Sequence, residues 1–291
     1  MTIILDGKKV SQKLKDNLKI EIEKLKSKFN RVPGLAVVQV GNVAASSVYV
    51  KAKTKAAKEV GINVIGHHLE ETTNQVELIN LINQLNNNKD VDGILVQLPL
   101  PKKINEEVVL NSIVPEKDAD GFHPLNVGKL SISPTNDESL MIPCTPYGCL
   151  LLLRELKIDL AGKNAVVIGR SNIVGKPMAQ LLIKESCTVT IVHSKTVNIQ
   201  SICKNADILI AAIGQPEFVN KDWVKKGAII IDVGINGVEA NEQKSRLVGD
   251  VSFNDVKGTV SAISPVPGGV GPMTIACLLR NTTIAFKNKI L

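Results

Sequence analysis

The chain has 291 residues, 44% hydrophobic and 22% charged, which fits about two globular domains and excludes a disordered or fibrous chain. No apolar run nears the roughly 20 residues of a membrane helix and the N-terminus has no secretory pattern, so a cytoplasmic protein without membrane contact is expected. The net charge of +7 comes from dispersed lysines with only 3% aromatics, which argues against nucleic acid; five cysteines and four histidines without ligand spacing argue against disulfides and a metal site.

Val10, Leu14, Leu18, Leu25 and Phe29 recur at helical spacing, with the lysines of 8–31 on the wet face and Pro33-Gly34 as the stop. Leu35–Val40 is an apolar, branched run suited to a buried parallel strand. A helix from about Ala44 to Gly61, a strand over 63–69, a helix opened by the Asn74/Glu77 capping pair and a strand over 93–98 continue the alternation. Between Pro99 and Pro146 proline, glycine and polar residues predict loops and a domain junction, with a long loop over 131–139. A helix over 146–156 then leads into a second α/β series with strands at 164–168, 189–193, 207–213 and 228–233 and a helix at 176–185. The final helix follows Gly271-Pro272 and is expected to pack back on the first domain. The fold class is α/β: two open α/β domains with mainly parallel sheets, one built from 1–145 plus 276–291 and a Rossmann-like one from 146–275, with the active-site cleft between them.

Two stretches carry chemistry. Residues 165–177 form a strand, a tight polar loop and a helix start; Gly169 lets the chain turn and Gly175 lets the helix approach the sheet, so helix N–H groups face a pyrophosphate. Ser171 stands where the second glycine of the dinucleotide fingerprint belongs, so a plain strand–helix turn fits as well. After the next strand, His193-Ser194-Lys195 replaces the acidic residue that binds a free ribose, and with Arg170 it favours NADP over NAD.

Tyr49 and Lys53, four apart, share a helix face, and Gln97 interrupts an apolar strand near its carboxyl end. Each also has a bland reading, a surface lysine and a hydrogen-bonded core glutamine. Asp118 and Asp120 fit either a site or an Asx turn, and the glycines of 265–274 fit close backbone approach to a flat ligand.

Taken together, Tyr49-x-x-x-Lys53, Gly93-Ile-Leu-Val-Gln-Leu-Pro-Leu-Pro101, Lys117-Asp-Ala-Asp-Gly, Pro143-Cys-Thr-Pro146, Gly169-Arg-Ser-Asn-Ile-Val-Gly-Lys-Pro177 and the 265–274 loop occur in the order of one family. The chain resembles the bifunctional methylenetetrahydrofolate dehydrogenase/cyclohydrolases of the bacterial FolD type over nearly its whole length. The resemblance implies NADP-dependent oxidation of 5,10-methylenetetrahydrofolate and hydrolysis of the product to 10-formyltetrahydrofolate, in one-carbon metabolism that feeds purine biosynthesis. It implies a catalytic Lys53 acting as base or polariser, with Gln97 bonding the lysine, Tyr49 stacking on the pterin and Asp120 holding it. Ser46, Leu98, Pro99, Gly268, Gly269 and Pro272 line the substrate pocket in this resemblance. The cofactor positions are Gly169, Arg170, Ser171, Val174, Gly175, Ser194 and Ile235. Tetrahydrofolate derivatives, polyglutamylated forms included, are the implied partners, and a homodimer the implied assembly. Ser264, where the family more often has threonine, and the length of the 131–139 loop are slight departures. A dehydrogenase without hydrolysis and a non-enzymatic nucleotide sensor are the alternatives; the joint presence of Tyr49, Lys53, Gln97 and Asp120 counts against the first.

Overall fold

The computed structural model describes residues 1–134, 137–240 and 244–290, and the chain divides into two compact units. The first unit comprises Gln12–Cys144 with Ile275–Leu291, and the second Met1–Ser11 with Thr145–Thr274. Residues 1–11, placed by the sequence with 12–145, thus lie in the second unit. There β1 (Ile3–Ile4) pairs in parallel with β11 (Ala262–Ile263). A two-residue strand is too short to show a periodicity, so only the pairing reveals it.

In the first unit, β2 (Gly34–Val40) lies between β3 (Asn63–Leu69) and β4 (Gly93–Val96) in a three-stranded parallel sheet. Every residue of β2 and β4 is buried, which is why both read as apolar runs, interrupted in β2 only by Gln39. Helices α1 (Gly7–Phe29), α2 (Ala44–Glu59), α3 (Gln75–Asn87) and α10 (Val270–Ile290) supply this unit's main helical segments. The α3 capping box forms as expected: Asn74 Oδ1 accepts from Glu77 N and Glu77 from Asn74 N. The stretch expected to be loop is partly helical, with α4 (Glu106–Asn111) and α5 (Pro124–Ile132). Side-chain caps explain why its proline and asparagine content misleads: Asn105 caps α4, and His123 with Pro124 starts α5. Of the expected 131–139 loop, residues 135 and 136 lie outside the described residues.

In the second unit, α6 (Cys144–Glu155) precedes β5 (Asn164–Ile168), α7 (Gly175–Lys184), β6 (Thr188–Val192), α8 (Ile199–Cys203), β7 (Ile208–Ala211) and β8 (Ile229–Asp232). With β11 and β1 they form a parallel sheet in the order β1-β11-β8-β7-β5-β6. The antiparallel pair β9 (Asn236–Ala240) and β10 (Lys244–Val248), and the short α9 (Phe253–Val256), were not anticipated. The strands expected over 93–98, 207–213 and 228–233 end at Val96, Ala211 and Asp232. What the sequence read as strand ends are the turns that carry the sites. All five cysteines are buried. Among the described residues, no helix is long and apolar enough to cross a membrane.

Candidate active site

Each sheet changes direction of progression at one strand, and the candidate residues gather there. From β2 the chain goes to β3 on one side and later to β4 on the other, so a crevice opens beyond the carboxyl end of β2. The chain leaves β2 into α2, which carries Ser46, Tyr49 and Lys53 down one side; Ser46 is buried and Lys53 is only 6% exposed. Burial pushes the Tyr49 phenol up. Gln97 follows β4, whose register sets Val96 opposite Val38 of β2. Lys53 Nζ donates to Gln97 Oε1 at 3.0 Å, and Gln97 Nε2 donates to the Leu98 carbonyl at 2.6 Å. This lysine is therefore not surface decoration, unlike Lys51, Lys55 and Lys58 on the same helix, which are exposed. Leu98 is half-buried and Pro99 exposed, at the mouth of the same corner.

The two aspartates of 117–121 have separate jobs. Asp118 accepts from Gly121 N, His123 N and Asn126 Nδ2, at 2.7 to 3.1 Å, and serves as the turn's internal cap. Its neighbour Asp120 carries none of these bonds and is 9% exposed. Burial pushes the Asp120 carboxyl up to about 6, against the pull of the Lys53 charge and with a further push from Asp118. Its folded value stands above the ordinary 3.8, so its contribution to stability is present below pH 4 and is lost as the pH rises through 6. Asp120→Asn is therefore expected to raise the unfolding midpoint at pH 8 and leave it nearly unchanged at pH 4. Thermal scans at the two pH values check this, and equal shifts at both would rule out the charge as the cause.

Sequence reasoning missed what holds this corner together. Asn281 on α10 is fully buried and donates to the carbonyls of Ala119 and Ile142 at 2.9 and 2.8 Å, pinning the residue before Asp120. Cys144 N donates to Asp120 O at 3.2 Å, and its thiol, pushed well up by burial, donates to Ala119 O. The available signal was the uncharged polar run Asn281-Thr282-Thr283 set between the apolar stretches Ile275–Leu279 and Ile284–Phe286 of α10.

In the second unit, the change of direction occurs at β5, flanked by β6 and β7. Gly169 has φ +118°, and a Cβ there would lie 2.2 Å from the Ala212 carbonyl oxygen; a Cβ on Gly175 would lie 2.3 Å from Gly169 O. Both glycines let backbone pack where a side chain would collide, which sets the β5 loop against Ala212 and the start of α7 against Gly169; the resulting cradle of close backbone at a helix N-terminus fits a dinucleotide pyrophosphate. Ser171 Oγ accepts from Val174 N and Gly175 N at 3.2 and 3.3 Å, so the serine at the missing glycine ties together the turn that leads into α7. Because Ile168 is in register with Val192, the Arg170 loop and the Ser194 turn emerge side by side, both exposed. Among the described residues no carboxylate lies within ion-pair distance of Arg170. Ile235, 44% exposed, follows β8. Gly268, Gly269 and Pro272 also belong to this unit. Lys8 N donates to Gly268 O at 3.2 Å, and a Cβ on Gly7 would stand 1.7 Å from Gly269 O, so the start of α1 backs this loop.

Comparison with known proteins matches most of the chain to two domains of one family. Residues 5–120 match the tetrahydrofolate dehydrogenase/cyclohydrolase catalytic domain, and residues 143–290 match the NAD(P)-binding domain of the same family. The bifunctional protein FolD of Campylobacter concisus is 56% identical over 287 residues, covering 99% of this chain and 98% of that protein. The crystal structure of the bifunctional FolD dehydrogenase/cyclohydrolase of Campylobacter jejuni superposes with a TM-score of 0.94 at 48% identity, with 100% of both chains covered. The Trypanosoma brucei enzyme, solved with NADP cofactor and an inhibitor, gives 0.94 at 38% identity, covering 99% of this chain and 98% of that one.

Proposed function

The chain belongs to the tetrahydrofolate dehydrogenase/cyclohydrolase family, and from this premise we propose that its two reactions are carried by the Lys53 corner and the Gly169 cradle. The protein is a bifunctional enzyme of one-carbon metabolism: it oxidises 5,10-methylenetetrahydrofolate with NADP and hydrolyses the 5,10-methenyl product to 10-formyltetrahydrofolate. The observation that carries the residue assignment is the 3.0 Å bond between buried Lys53 and Gln97, with the Asp120 carboxylate in the same corner.

In this proposal Tyr49 lies against one pterin face, and the Asp120 carboxylate accepts from the pterin's ring N–H and amino group. Ser46, Leu98 and Pro99 wall the pocket. When bound, NADP⁺ accepts the hydride that leaves the methylene carbon; the protein's part is alignment and exclusion of water. Gly169, Val174 and Gly175 hold the pyrophosphate, Ile235 contacts the cofactor, and Gly268, Gly269 and Pro272 give the ligand a flat backbone wall. In the hydrolytic step water adds to the methenyl carbon, and the Lys53 amine takes the proton the water gives up. Gln97 Oε1 holds Nζ in place. The bond from that carbon to N5 then breaks as the Lys53 ammonium returns its proton to N5, and the added hydroxyl loses its own proton to solvent and becomes the formyl carbonyl. The direct test supplies methylenetetrahydrofolate and NADP⁺ and follows NADPH at 340 nm and then 10-formyltetrahydrofolate; absence of either product removes the corresponding half.

Arg170, Ser171 and Ser194 form the 2′-phosphate contact. A charge-assisted bond to phosphate contributes about 1.5–3 kcal/mol, so Arg170→Ala is expected to lower the NADP over NAD preference ten- to a hundredfold, with NAD turnover little altered. An unchanged ratio of kcat/KM values would remove Arg170 from this role. A homodimer, polyglutamylated folate substrates and a cytoplasmic location complete the proposal, supported by membership of the family.

A further inference from the structure

Two buried carboxylates in the second unit belong to none of the roles above. Asp232 ends β8 and is 3% exposed; Asp250 follows β10 and is fully buried. Among the described residues no cation reaches either within ion-pair distance; backbone N–H groups satisfy them instead. Asp232 accepts from Gly234 N, Asp250 N and Val251 N, at 2.8 to 3.1 Å. Asp250 accepts from Ile213 N at 2.7 Å, Gly214 N at 3.0 Å, Gln215 N at 2.9 Å and Asn236 Nδ2 at 3.0 Å. Glycine is required for both approaches: a Cβ on Gly234 would lie 2.1 Å from Asp250 Oδ1, and one on Gly249 1.8 Å from Asp232 Oδ2. Ser264 joins the set, its Oγ accepting from Asp232 N at 2.8 Å, which explains why a small hydroxyl residue precedes the 265–272 loop.

These bonds fix the direction of peptide groups. In a trans peptide the C=O points opposite to the next residue's N–H. With the Gly214 and Gln215 N–H groups turned onto Asp250, the carbonyls of Ile213 and Gly214 face away from it. Gly214 is exposed, with φ +65°. This turn directly follows Ala212, whose carbonyl touches the Gly169 cradle, and Asn236 is the neighbour of Ile235. Among the described residues no backbone N–H donates to either carbonyl, so both are acceptors for the hydroxyls of a ribose and the amide N–H₂ of a nicotinamide.

We propose that Asp250 is a positioning residue for the nicotinamide half of the cofactor, aiming the Ile213 and Gly214 carbonyls and tying the Ile235 loop to them. The inference rests on the NADP-binding role assigned above to this unit. It predicts a split within the ligand: the adenosine 2′-phosphate end depends on Arg170 and Ser194, not on Asp250. The test uses the full chain with Asp250→Asn, which keeps the shape but loses the charge and puts an N–H₂ against N–H donors. NADPH fluorescence titration is expected to show at least a tenfold weaker Kd. The affinity for 2′,5′-ADP, measured by calorimetry, should stay within twofold, as should hydrolysis of methenyltetrahydrofolate. An unchanged NADPH Kd, or equal weakening of NADPH and 2′,5′-ADP, overturns the proposal. If Asp250→Asn does not fold, Asn236→Ser decides by the same pair of titrations: a selective loss for NADPH supports the assignment, and none refutes it. A wild-type chain that binds neither ligand would instead defeat the underlying NADP reading.

Discussion

Lys53→Met is expected to lower the rate of methenyltetrahydrofolate hydrolysis by two orders of magnitude or more while leaving the fold intact. A positioned acid–base group contributes typically 10²–10⁴-fold, and Lys53 is the basic side chain bonded to Gln97 in this buried corner. Methionine keeps the unbranched stem and its packing, so the corner stays filled; what goes is the amine and the donor to Gln97 Oε1. The dehydrogenase half should suffer less, because hydride transfer asks for alignment of two rings and no proton at Nζ. Stopped-flow decay of methenyltetrahydrofolate absorbance checks it. A variant that hydrolyses within a few-fold of wild type would remove Lys53 from the catalytic role, and one whose two activities fell equally would make the lysine a packing residue.

Gly169→Ala is expected to abolish high-affinity NADP binding. Two penalties coincide at this position: φ of +118° is strained for any L side chain, and the added methyl carbon would stand 2.2 Å from a backbone oxygen. Strained backbone alone costs of order 1–3 kcal/mol, and the overlap must be relieved by moving the β5 loop off Ala212. Because Gly175 packs on Gly169 O, the start of α7 moves with it. NADPH affinity should fall at least thirtyfold by titration, with hydrolysis retained, since Lys53, Gln97 and Asp120 lie in the other unit. Wild-type affinity in this variant would mean that the 169–175 turn is only a strand-to-helix connection.

The alternation of helices and buried strands was legible from the chain because period and burial are local properties: β4 is apolar throughout and β2 apolar but for Gln39 since both faces are covered, and Asn74 caps α3 through a contact three residues long. Gly169 and Gly175 were legible for a related reason, as a tight turn leaves no room for side chains. Lys53 and Gln97 were visible as residue types, but 44 positions separate them, and only the parallel pairing of β2 with β4 brings an amine and an amide to 3.0 Å. The two aspartates near residue 119 show the limit most clearly. They are identical in chemistry and two apart in sequence, yet one caps a turn and the other is left without such bonds beside a lysine. Asp232 and Asp250 could not be read at all, because nearly all their partners are backbone groups, which every residue possesses and no sequence marks. Tertiary structure alone decides which of those groups a buried carboxylate or amide will meet.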